Sequence, residues 1–116
     1  MASSKEYLYF ILEQLSGLEE INYRAMMGEY IIYYRGRIAG GIYDDGLLVK
    51  PTKSAVSYMT TATYELPYEG AKEMLLVENV DSREYLAGLF NALYDELPVH
   101  KANNKKKSLN NLYTFQ

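Results

Sequence analysis

At 116 residues, 48% of them hydrophobic and none cysteine, the chain has the make-up of a single globular domain, and disulfides, thiolate metal sites and cysteine nucleophiles are excluded. Its formal net charge of −3 conceals an asymmetry: residues 1–100 hold all 15 acidic residues against 8 basic ones, a balance of −7, and four lysines follow Val99. A body this acidic repels phosphate backbones, so direct nucleic-acid binding is not expected.

The opening "MASSKEYLYFILEQ" is too short and too polar for a membrane span and lacks a signal-peptide cleavage pattern, so a cytoplasmic protein is the default. Leu8, Ile11, Leu12 and Leu15 recur at helical spacing, with Ser4 as N-cap and Gly17 after the last periodic residue, predicting a helix over 4–16. The period then changes to two. "NYRAMM" reads as a strand ending in a bend or bulge at Gly28, with Met26 and Met27 on opposite faces as core filler. "EYIIYYR" and "RIAGGIY" follow, joined by Arg35-Gly36, and "LLVK" comes next, joined by Asp45-Gly46. This is an antiparallel meander of three or four strands.

A two-residue turn at Arg35-Gly36 pairs Tyr33 with Ile38, Ile31 with Gly40 and Glu29 with Ile42, and on the other side Tyr34 with Arg37, Ile32 with Ala39 and Tyr30 with Gly41. The second turn sets Leu48 beside Tyr43 and Val49 beside Ile42. Ile31, Tyr33, Ile38, Ile42 and Val49 then form the face expected under the helices. Tyr30, Ile32, Tyr34, Ala39, Tyr43 and Leu48 form a second face too apolar for free solvation, covered either by the chain's own loops or by another molecule. From it we take Tyr30, Ile32, Tyr34, Tyr43 and Leu48 as candidate partner-binding residues; a homodimer is one way to cover them. Tyrosine supplies 13 aromatics against three phenylalanines and no tryptophan, which suits such half-wet surfaces. Arg24, inside a strand, is expected to pair with a carboxylate or carbonyl in the fold or on a partner.

Beyond Pro51, "TKSAVSYM" reads as a short helix capped by Thr52, "TYELPY" as an irregular edge containing Pro67, and "KEMLLVEN" as a strand. The last helix carries Asp81 and Glu84 as a capping box, a stripe of Leu86, Leu89, Phe90, Leu93 and Leu97, and Pro98 as its stop. The domain therefore spans 1–98, and 99–116 reads as a lysine-rich, disordered tail. Its closing "NLYTFQ" resembles a disrupted protease tag and is assigned no function.

Signals for catalysis are missing. The one histidine, His100, lies past the last helix; Glu19-Glu20 and Asp44-Asp45 are solvated neighbours; and the glycines lack a phosphate-cradling pattern. No enzyme, cofactor or metal is expected.

"YRAMMGEYIIYYRGRIAGGIYDDGLLVK" resembles the N-terminal domain of the TfoX family of bacterial competence regulators. The pattern is carried by Arg24, Met26, Met27 (where phenylalanine is common) and Gly28, then Tyr30, Tyr33, Gly36, Ile38, Ala39 and Ile42, and a strand ending in Lys50; "YELPYEGAKEMLLVENV" and "DSREYLAGLFNAL" follow in the same order, so the likeness covers about residues 5–97. The resemblance implies a two-layer α+β fold similar to type III secretion chaperones. It also implies a regulatory or adaptor role: full-length members carry a second, C-terminal domain and act with the cyclic-AMP receptor protein to switch on DNA-uptake genes. The lysine-rich stretch stands here in place of that second domain. The leading expectation is a non-enzymatic domain that binds protein, with transcription machinery as the partner the resemblance suggests; the alternative is a small-molecule-binding module with a pocket between the sheet and the final helix.

Overall fold

A computed structural model describes residues 3–98; the lysine-rich stretch and His100 lie outside the described residues. The elements run α1 (Lys5–Gln14), β1 (Ile21–Met26), β2 (Glu29–Tyr34), β3 (Arg37–Ile42), β4 (Leu47–Val49), α2 (Lys53–Tyr58), β5 (Tyr64–Glu65), β6 (Met74–Leu76) and α3 (Arg83–Tyr94). The six strands form one antiparallel sheet in the order β1-β2-β3-β4-β6-β5. The expected α+β order of helix, meander, short helix, further strands and final helix is what the chain adopts.

Each helix begins at a side-chain cap. Ser4, Thr52 and Ser82 accept, through their hydroxyl oxygens, the N–H groups of Tyr7, Ala55 and Tyr85, each at 3.1 Å; such a cap contributes about 1 kcal/mol. For α3 the cap is Ser82, one residue after the expected Asp81, with Glu84 retained in the first turn. Helix α1 stops at Gln14, two residues short of the predicted end, where the Ser16 N–H tightens onto the Glu13 carbonyl three residues back.

All three helices lie against one face of the sheet. Leu8, Ile11 and Leu15 of the α1 segment, Ala55 of α2, and Leu86, Leu89, Phe90, Leu93 and Leu97 of the α3 segment share a core with Tyr30, Ile32, Tyr34, Ala39, Ile42, Leu47, Val49, Leu75 and Val77. The face expected to be open along β2 is therefore the buried one. Near the Arg35-Gly36 turn the register is as read from the sequence, with Tyr34 opposite Arg37 and Tyr33 opposite Ile38. A bulge between Ile32 and Tyr33 then inserts a residue on β3, so that Ile32 faces Gly40, Ile31 faces Gly41 and Tyr30 faces Ile42. One inserted residue flips every side chain beyond it. Ile42 and Val49 keep their expected helix side, and Tyr43 and Leu48 their outer side; Tyr30, Ile32 and Tyr34 exchange sides with Ile31, Tyr33 and Ile38.

The hairpins are tight. Met27-Gly28, Arg35-Gly36 and Asp44-Asp45 are each left-handed at both positions, as two-residue hairpin turns require. The third turn sits one residue before the expected Asp45-Gly46, since Tyr43 and Gly46 exchange both backbone bonds at 2.9 and 3.0 Å. Met27 is thus a hairpin tip rather than core filler.

Three outcomes follow. Ile32→Ala should cost about 2–5 kcal/mol in chemical denaturation, whereas Ile38→Ala, half-buried on the other face, should cost about 1 kcal/mol or less. A Cβ at Gly40 would collide with the Leu48 carbonyl and with Val49 Cα, both backbone, so Gly40→Ala should destabilise by about 1–3 kcal/mol or more while Gly17→Ala, facing open space, should not. The Glu96 carboxylate is held below its ordinary 4.5, first by the Ser54 N–H it accepts at 3.0 Å and also by the Ser54 and Thr52 hydroxyls and Lys53. Its folded pKa lies under its unfolded one, so its contribution is complete above the unfolded value and lost as pH falls through the folded value. A carboxyl NMR titration should place its midpoint below 4.5.

Candidate functional site

The five residues read as partner-binding are placed as follows. Tyr30, Ile32 and Tyr34 are 8%, 0% and 4% exposed in the helix-side core, and Leu48 is 2% exposed on the outer side. These four cannot form a docking surface. Tyr43 alone is half-buried at the outer rim. Burial of Tyr34 is reconciled with its hydroxyl at the sheet–helix junction, where it donates to Asn91 Oδ1 at 2.6 Å. Arg37 lies on the same side. It donates to the Tyr94 and Leu97 carbonyls at 3.2 and 3.4 Å and sits 4.5 Å over the Tyr94 ring, so the hairpin tip satisfies the carbonyl end of α3. The space between sheet and α3, expected as a ligand pocket in the alternative reading, is filled by these side chains and by Phe90, Leu89 and Leu93.

What remains open is the outer face of the meander. Met26 of β1, Ile31 and Tyr33 of β2 and Ile38 of β3 are brought side by side by the pairings Arg24–Ile31, Met26–Glu29 and Tyr33–Ile38, and each is only half-buried. Towards β4 and β6 this face is closed by the chain itself. Leu48 and Met74 are 2% and 9% exposed there, beside the segment 67–73. The Tyr43 ring lies across Gly41, where a side chain would strike it, and its centroid is 6.3 Å from that of Tyr68. Burial, then Tyr68 and Glu29, push the Tyr43 phenol above its ordinary 10.0. Between this cover and the open strip runs a groove of about 420 Å³, floored by Met26, Ile31 and Ile38 and edged by Lys50 and Lys72. The hairpin tip adds Met27, 96% exposed and left-handed at φ 52°. A bulky residue in that region is uncommon and strained.

The residues carrying the family pattern divide between these features. Gly28 and Gly36 complete turns, while Arg24, Met26 and Lys50 lie on the outer face or its groove. Arg24 does not find the in-fold partner expected of it: among the described residues no hydrogen bond or ion pair engages it, and its side chain is exposed.

The acidic pairs are structural. Glu29 Oε1 accepts from Ser3 Oγ at 2.6 Å and from the Asp44 N–H at 3.3 Å, and Asp45 Oδ1 accepts the Ser4 N–H at 2.8 Å. They tie the start of α1 to two hairpin turns, and the Asp45 and Asp81 charges join burial in raising the Tyr7 phenol. Glu20 occupies the left-handed residue before β1. Among the described residues no three His, Cys, Asp or Glu side chains converge to hold a metal ion, and no helix is long and apolar enough to cross a membrane.

The exposed hairpin tip and the open outer strip were missed in the sequence. The run Ala39-Gly40-Gly41, small enough to allow a bulge, was the signal that could have located them.

Comparison with known proteins gives the same order of elements a lineage. An uncharacterised 12.7 kDa protein of the trpE 5′ region of Spirochaeta aurantia is 28% identical over 80 residues, covering 69% of this chain and 70% of that protein. No solved structure matches, so the likeness to type III secretion chaperones has no match behind it. The family model of the TfoX N-terminal domain matches residues 13–89, from the end of α1 to the middle of α3. The chain belongs to the TfoX N-terminal domain family.

Proposed function

We propose that this domain is a non-enzymatic, cytoplasmic adaptor that binds a protein partner through the outer face of its meander, in the competence-type regulation for which the family is known. The observation that carries the reading is the half-buried apolar strip of Met26, Ile31 and Ile38, continued by the nearly fully exposed Met27 at the hairpin tip. The described helices roof the other side of the sheet, and clustered apolar exposure on a small domain marks an interaction surface. Partners of matching chemistry present apolar side chains with a carboxylate within reach of Arg24 or Lys50. The acidic balance of residues 1–100 favours protein over DNA as that partner.

A second reading is favoured by the groove. Its apolar floor, edged by Lys50, Lys72 and the Glu73 carboxylate, suits a small amphipathic molecule, which would raise the melting temperature of the isolated protein by mass action.

The test compares the wild-type chain with Ile38→Glu in the source organism. Partner recovery by affinity capture and transcript levels of DNA-uptake genes should both fall at least about tenfold for the variant, the equivalent of about 1.4 kcal/mol of binding, while its circular dichroism stays unchanged. Equal recovery by a folded Ile38→Glu protein rejects the outer face. A melting shift with a metabolite but no captured partner favours the second reading.

A further inference from the structure

The strand order leaves the six-residue β1 at one edge of the sheet and the two-residue β5 at the other. In the β1–β2 ladder Glu20 accepts the Arg35 N–H at 2.9 Å, and Asn22–Tyr33, Arg24–Ile31 and Met26–Glu29 follow in the same register. Antiparallel ladders alternate hydrogen-bonded and non-hydrogen-bonded pairs. Glu20, Asn22, Arg24 and Met26 therefore turn their N–H and C=O groups towards β2, and Ile21, Tyr23 and Ala25 turn theirs away from the sheet. Nothing among the described residues bonds to those outward groups. Asn22 through Ala25 are all exposed, so none of the described helices or loops lies across the edge. Edges this long are ordinarily blunted with charged side chains, lysine above all, with proline or with a bulge. "INYRAM" has no lysine or proline, Arg24 is its single charge, and its pairing to β2 runs without a register shift.

We propose that this edge docks a second copy of the chain, β1 against β1, about a two-fold axis through Tyr23. Such an axis keeps the helices of both copies on one side, so each residue must meet one of its own face. Of the registers this allows, only the one centred on Tyr23 sets Tyr23 opposite Tyr23 and Ile21 opposite Ala25, giving every outward N–H and C=O of the three residues a partner. Centring on Asn22 leaves Ala25 unpaired, and centring on Arg24 sets two arginines face to face.

The side chains agree with the Tyr23-centred register. On the outer face Arg24, which makes no ion pair among the described residues, falls opposite Asn22 of the second copy at the closely spaced, non-hydrogen-bonded position, where the Asn22 amide oxygen can accept from the guanidinium; the two-fold axis makes this contact twice. On the helix face the Tyr23 ring, 45% exposed and edge-on to Tyr30 at 6.0 Å, meets its counterpart. The result is one continuous sheet whose two open outer strips lie side by side. Arg24 apart, this dimer uses edge groups that the outer-face reading does not, so each can fail alone.

The test is analytical ultracentrifugation of the full chain from micromolar to sub-millimolar concentration. Wild type should pass from monomer to dimer. Ala25→Pro removes an outward N–H without touching the β1–β2 ladder, and should raise the dissociation constant at least about tenfold with an unchanged circular dichroism spectrum; Ile38→Glu on the outer face should dimerise as wild type. Should Ala25→Pro unfold, hydrogen exchange on wild type decides: the Ile21, Tyr23 and Ala25 amides should gain protection as concentration rises. A wild-type monomer throughout, a folded Ala25→Pro that dimerises normally, or amides indifferent to concentration each overturns the proposal.

Discussion

The bulge on β3 is the constraint from which the rest of this domain is arranged. Leu47, Val49 and Leu75 are all fully buried or nearly so, and their alternation determines which side of β4 and β6 the helices must cover. Ile42 opposite Leu47 carries that choice onto β3. Without the bulge, simple alternation would carry Ile31, Tyr33 and Ile38 into the same layer; with it, Tyr30, Ile32 and Tyr34 arrive there instead. The difference matters because Tyr34 brings a hydroxyl that Asn91 accepts, and because Arg37, its neighbour across the turn, arrives on the helix side where the α3 carbonyls are. Fully burying Ile32 contributes about 1.5–3 kcal/mol, which a solvated position would forgo.

Both ends of the meander are tied to helices through polar groups rather than through the core. At one end, Arg37 reaches the C-terminal carbonyls of α3, with the Arg35 guanidinium 5.2 Å from the Tyr94 ring. At the other, Ser3, Ser4, Glu29 and Asp45 join the beginning of α1 to the Met27-Gly28 and Asp44-Asp45 turns. A third link crosses between helices: Glu13 and Gln14 of α1 meet Arg83 of α3, and Gln14 donates to the Val80 carbonyl at 2.9 Å. The Glu13–Arg83 pair is more than half exposed on both sides and adds little by itself. The buried Gln14 bonds, made where water is scarce, matter more for the angle between the helices.

Much of the fold was legible because local chemistry determined it. Ser4, Thr52 and Pro51 act as punctuation that works regardless of tertiary context, and the α3 stripe from Leu86 to Leu97 is buried as its spacing predicts. The strand at Met74–Leu76 and the edge at Tyr64–Glu65 likewise followed from pattern and proline. The candidate site was less legible. Its side assignment depended on counting from a turn by twos, and one inserted residue invalidates the count for everything on the far side. Tyr43 and Leu48, after the bulge, were placed on the correct face; Tyr30, Ile32 and Tyr34, before it, were not. Met27 failed for a related reason. A non-glycine residue at the first position of a tight turn reads as a strand residue until the turn itself is located.

The open strip and the open edge share one cause. Three helices cover one face of a six-stranded sheet, and among the described residues the chain that reaches the other face is the connection from α2 to β6, which extends as far as β4. Strand β1 is the element furthest from that cover, and it is bare in two independent senses. Its even-numbered residues, Asn22, Arg24 and Met26, offer side chains on the outer face; its odd-numbered residues, Ile21, Tyr23 and Ala25, offer backbone groups at the edge. Because strand geometry sends these two sets in perpendicular directions, occupying one leaves the other free. On the two proposals above, the alternation along β1 decides which residue would serve which contact.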